Sequence, residues 1–162
     1  MSENTNSETP ETPGTEEPGT GTTGTETPAS PKSVINAAVE SVMDLIDALK
    51  PFASIRRGAL GTGAGLCCEI APSSPFEVYL DKNQYIPLDL TINGKHSNLE
   101  TLSETMNGIH ESLTMMTEYP TGDSWAVVDI STYTEPQVIG RENDNDWVMA
   151  SSLSVKIQTT KE

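Results

Sequence analysis

The sequence predicts an α+β domain: a mostly antiparallel sheet of four to five strands with two main helices packed on it, preceded by a disordered acidic tail. Three patterns carry that expectation. The first thirty-one residues hold no Leu, Ile, Val, Phe, Tyr or Trp. Two later segments place apolar residues at steps of three and four, the spacing of one helix face. The runs between and after them alternate apolar and polar residues, as half-buried strands do.

A tail without apolar side chains has nothing to bury in return for ordering its backbone, so residues 1–32 are expected to be disordered and 33–162 to form one domain. The full chain has 162 residues and a net charge of −15, with only nine Lys and Arg. Glu3, Glu8, Glu11, Glu16, Glu17 and Glu26 place six negative charges in residues 1–31, which leaves −9 on residues 32–162. An acidic surface with scattered cations argues against nucleic acid, whose phosphates require clustered Lys and Arg, and against anionic membranes. No basic start followed by an apolar run marks a secretory signal, and no apolar stretch is long enough to span a bilayer, so assembly in a cytoplasm is expected. Cys67 and Cys68 are adjacent, a poor geometry for a bridge, and read as a reduced structural pair.

Along the domain, "SVINAAVESVMDLIDALK" is the first helix, with Ser33 as the expected N-cap, Ile35, Ala38, Val42, Leu45, Ile46 and Leu49 on its core face, and Pro51 as its stop. "RRGALGTGAG", Arg56 to Gly65, reads as a mobile glycine connection leading to a short strand at "LCCEIAP". "FEVYLDKNQYIPLDLTING" reads as a hairpin: Phe76, Val78 and Leu80 alternate before a turn at Asp81 to Asn83, and Leu88, Leu90 and Ile92 after it. Pro87, having no N–H, places that part of the second arm at an edge or a bulge. In "SNLETLSETMNGIHESLTMM" the expected capping box is Ser97 with Glu100, and Leu99, Leu102, Met106, Ile109, Leu113 and Met116 form the apolar stripe, interrupted by Gly108. That stripe suits a helix covering the sheet; a helix–helix interface is the alternative. "SWAVVDISTY" follows as a central strand with Trp125 and Val127 on one face and Ala126, Val128, Ile130 and Thr132 on the other. A polar loop, Tyr133 to Asp146, leads to a last strand with Trp147, Met149, Leu153, Val155 and Ile157 on one parity.

Motifs of chemistry do not match. From Gly61 a dinucleotide fingerprint would need glycine at position 66, which is Leu66, and a phosphate loop would need a Lys that this stretch lacks. Cys67, Cys68, His96 and His110 lack zinc spacing. "NDND", Asn143 to Asp146, resembles the start of a calcium loop, but counting from Asp144 the sixth and twelfth positions hold Met149 and Val155. His96 sits beside a helix cap and His110 beside the apolar stripe, so both read as structural. No catalytic residue, cofactor or metal is expected, and the protein is read as a non-enzyme. Candidate partner contacts are Arg56, Arg57, Gly61, Gly63, Arg141 and Trp147; Trp125 and Trp147 suit either core or interface.

Four phrases, "PLDLTINGKHSNLETLSETMNGIHESLT", "YP", "SWAVVDIST" and "EPQVIGRENDNDWVMASSLSVKI", in that order, resemble the tail terminator (tail completion) proteins of long-tailed bacteriophages, often labelled minor capsid proteins. The resemblance covers roughly residues 34–160. It implies a leading helix, an antiparallel sheet and an inserted helix. It further implies a homo-oligomeric ring, expected to be a hexamer, at the head-proximal end of the tail tube in the virion. There the ring ends tube polymerisation and presents a surface to neck or head-completion proteins; its partners are itself, the tube protein and the neck. The competing readings are a non-viral adaptor whose acidic tail engages a basic partner, and a small enzyme using His96 or His110.

Overall fold

The computed structural model describes residues 31–75, 77–78, 83–142 and 145–159. The acidic tail up to residue 30, and Phe76, Leu80 and Asp81 of the expected hairpin, lie outside them. The elements are α1 (Pro31–Ala48), β1 (Ile55–Arg57), β2 (Gly65–Ala71), β3 (Glu77–Val78), β4 (Gln84–His96), α2 (Leu99–Thr114), β5 (Trp125–Glu142) and β6 (Asp146–Thr159). They form one six-stranded sheet in the order β1-β2-β4-β6-β5, with β3 pairing β4 beside β2. Every pairing is antiparallel except β1 with β2. This is the α+β class expected, with β1 as a short addition and β3 pairing β4 as the two arms of the expected hairpin.

α1 begins at Pro31, whose fixed φ suits a first helical position, so Ser33 lies in the first turn and is not the cap. Its buried face is Val34, Ala38, Val39, Val42 and Ile46, rotated from the expected one; Ile35 and Leu45 are half-buried. Leu49 is 44% exposed because the helix has already ended at Ala48, and Lys50 turns the chain out with φ 55° ahead of Pro51. Asp47 ties this end to the sheet by accepting from the Ile55 N–H at 2.9 Å.

β4 is the sheet's axis. Ile86, Leu88, Leu90, Ile92 and Gly94 face the helices and are buried, and the residues between them are mostly half-buried. Facing them on β6 are Ile157, Val155, Leu153, Ser151 and Met149, in an unbroken register. Pro87 is tolerated in this central strand because it falls between the end of β2's pairing at Asp89 and the start of β3's at Tyr85. Its carbonyl accepts from Ser73 Oγ at 2.8 Å, so its missing donor faces the same gap.

α2 packs on this axis. Its cap is Asn98, one residue beyond the Ser97 expected: Asn98 Oδ1 accepts from Glu100 N at 2.8 Å and Thr101 N at 3.3 Å. Leu102, Met106, Ile109 and Leu113 are buried as the stripe requires, with Leu99 and Met116 half-buried against the core. The close approach depends on Gly94. A Cβ there would lie 2.8 Å from Leu102 Cδ1, 3.0 Å from Leu66 Cδ2 and 3.1 Å from the Met106 sulfur.

Two expectations about β5 are overturned. It is an edge strand rather than a central one, and no loop runs from Tyr133 to Asp146: the strand continues to Glu142 and pairs with β6 to the turn. Four register shifts let 18 residues of β5 oppose 14 of β6. The first makes Val128 an extra residue, so Val127 and Ile130 both reach the core, where a regular strand would have set them on opposite faces.

Candidate functional site

Among the described residues no helix covers the sheet's second face. By register it holds Glu69, Thr91, Ser152 and Thr134 in one row and Cys67, Asn93, Ala150 and Gln137 in the next. Lys95 ends this face, opposite Gly65 on β2 and Val148 on β6. Its side chain is fully buried, which a lone ammonium could not bear. Two acceptors satisfy it: the Gly61 carbonyl and Glu142 Oε2, the latter at 2.9 Å, with Glu142 itself 52% exposed. One lysine therefore fastens the glycine loop after β1 to the end of β5, and the loop is held across the sheet rather than left as a free connection.

Arg56 and Arg57 belong to β1, not to the loop, at the opposite edge of the sheet from β5. Arg57 donates to Asn36 Oδ1 on α1 at 3.1 Å, while Arg56 is exposed and has no partner among the described residues. Gly61 and Gly63 are exposed in the loop with open space where a Cβ would be; of the loop's glycines only Gly58 has positive φ, at 98°. Arg141 and Trp147 face each other across β5 and β6, the guanidinium 4.4 Å from the ring centroid. Trp147 is half-buried against the core, as is Trp125, so each serves packing and surface together. The latch thus brings Gly61 to the sheet end that carries Arg141 and Trp147, and leaves Arg56 and Arg57 apart on β1.

The histidines and cysteines sit in structural settings. His96 Nδ1 accepts from Asn98 N at 2.9 Å and its ring packs on Phe52, 4.8 Å between centroids. His110 is buried, with Nδ1 2.9 Å from Thr132 Oγ1 and Nε2 without a partner among the described residues. Burial pushes its pKa below the ordinary histidine value, partly opposed by the Glu135 carboxylate. Both thiols are free and buried. Cys68 lies in the core, its pKa pushed up to about 11 by burial and then by neighbouring Cys67. Cys67 faces the other way, on Lys95's side, and burial raises its pKa too, opposed by hydrogen bonding with Asn93. Such thiols are poor nucleophiles. Among the described residues no three Cys, His, Asp or Glu side chains converge as metal ligands would, and no helix is long and apolar enough to cross a membrane.

What the sequence did not reveal is the arm formed by the outer half of β5. Tyr133 is 74% and Ile139 60% exposed, and Val138 is also open. The signal was faint: scattered apolar residues in a polar stretch containing Pro136. No protein-family model matches the chain, and no curated protein matches it either.

Proposed function

We propose that the chain is a structural virion protein that caps the head-proximal end of a phage tail tube as a ring, ending tube polymerisation and joining tail to neck. The observation that carries this reading is the β5 arm: an 18-residue edge strand, latched at its end, that exposes Tyr133 and Ile139. Apolar side chains of that size on a braced strand suit protein contact better than they suit water. The resemblance across residues 34–160, which includes both strands of the arm, supplies the kind of partner. Rigid bracing matters because a surface already held in its bound shape loses little conformational entropy on docking.

The test is growth of tail tubes from purified tube protein with and without this chain. Tubes that stop lengthening, with ring density at one end in negative stain, are expected. Tubes that grow unchanged with bare ends overturn the reading.

A further inference from the structure

The residues that open the β5 edge share one property. Val128, Tyr133 and Ile139 are the extra residues at three of the four register shifts, and Glu135 and Pro136 oppose a single residue at the fourth. A regular strand sends alternate side chains to the two faces and none along its own edge; a bulge re-aims them. At these shifts three large apolar side chains, Val128, Tyr133 and Ile139, stand exposed on the edge strand, with an exposed carboxylate, Glu135, beside them and near enough to His110 on α2 to act on it. Bulges and Pro136 also spoil the edge for a continuous ladder with another strand. The rim is built for side-chain contact.

The other end of the sheet has complementary features. β1 presents Arg56, exposed and without a partner among the described residues, in a chain whose net charge is −15. Beyond the end of β1, β2 leaves Ile70 43% exposed. The remaining described cations in the sheet are engaged: Lys95 by Glu142, Arg57 by Asn36, Arg141 by Trp147 and Lys156 by Tyr85. Copies of an acidic protein repel one another unless opposite charges are placed where they meet. A single free arginine on one edge and an acidic, apolar rim on the opposite edge form such a pair. Because the two surfaces differ, their contact is head-to-tail, the kind that repeats from copy to copy and closes if the rotation allows.

We infer that the bulged rim of β5, with Tyr133, Ile139 and Glu135, docks the β1 edge of a second copy of this chain, with Arg56 meeting Glu135. This deepens the ring reading and rests on it for its biological setting, yet it can be tested without tubes.

In the full chain, Arg56→Cys combined with Glu135→Cys, mildly oxidised, is expected to give a ladder of covalently linked copies on a non-reducing gel. Arg56→Cys combined with Glu104→Cys, on α2, serves as the control. Native Cys67 and Cys68 are buried and stay out of the reaction. In light scattering, Arg56→Glu and Glu135→Arg are each expected to weaken association about tenfold, and the double swap to restore it. Tyr133→Ser with Ile139→Ser should weaken it further at an unchanged melting temperature. Linking no better than the control, or a double swap no better than the singles, overturns the interface. Rings on tube ends with no 56–135 link would overturn this interface and leave tube capping standing. Links and a working swap in a protein that ignores tubes would do the reverse.

Discussion

β4 and β5 are the two long strands that flank β6, and they are built on different plans. β4 pairs with β6 through 13 residues without a break, and its alternation of buried and half-buried residues holds nearly to its end. β5 pairs with the same strand through four shifts and, past Ile130, buries no further residue. Regularity belongs where the helices press on the sheet. Three of the four shifts fall past Ile130, where β5 buries none of its residues, so irregularity is concentrated where the strand is open among the described residues.

The largest test of that contrast is the same kind of truncation in each strand. Leu90→Ala, beneath the helices, should cost about 2–5 kcal/mol of stability by denaturant melts. Ile139→Ala, at the rim, should change it by less than about 0.5 kcal/mol. Comparable losses would show that the arm is part of the core. Next comes Gly94→Ala, which adds one methyl where three side chains already crowd. An overpacking cost of about 1–3 kcal/mol is expected, most visible as lost hydrogen-exchange protection in α2. Full stability would mean that α2 can back away freely.

A smaller effect isolates the latch. Glu142→Gln leaves a buried ammonium with the Gly61 carbonyl as its main acceptor, and should loosen the loop enough to label Cys67 roughly tenfold faster, about 1.4 kcal/mol of opening. Cys68, in the core, should stay protected and so separates local opening from unfolding. Lys95→Met, which removes both bonds of the latch together, should label Cys67 at least as fast as Glu142→Gln. Equal labelling in all three proteins would mean the loop is held by something else. The smallest effect is pH dependence. His110 has a folded pKa below its unfolded one, so the unfolded chain binds the proton more readily. Stability should therefore be full above about pH 6.5 and fall as pH drops from there toward the lower folded value. His110→Asn should flatten that part of the melting profile; an unchanged slope would assign it to carboxylates.

Much of the core was legible because period alone specifies it: α2's stripe, the parity of Met149 to Ile157, and Leu88, Leu90 and Ile92 all read directly as spacing. Other features depend on relations that spacing does not encode. β1 has three residues, too few for a period. Asn98 and Ser97 are both competent caps, and which one is used depends on where the chain leaves β4. The extra residue at Val128 inverts parity, which is why β5 read as apolar on both faces and hence central. Its outer half has a polar composition because its surroundings are solvent, so it read as a loop. As for the candidate contacts, residue type alone picked out Arg141 and Trp147, which do pair. What links them to Gly61 is Lys95, whose bond to Glu142 spans 47 positions in sequence.

The four extra residues of β5 also have a consequence for shape. At each shift the surplus residue is absorbed on the spot, by a local bend and a stronger right-handed twist of β5, so the hairpin coils along its length instead of lying flat.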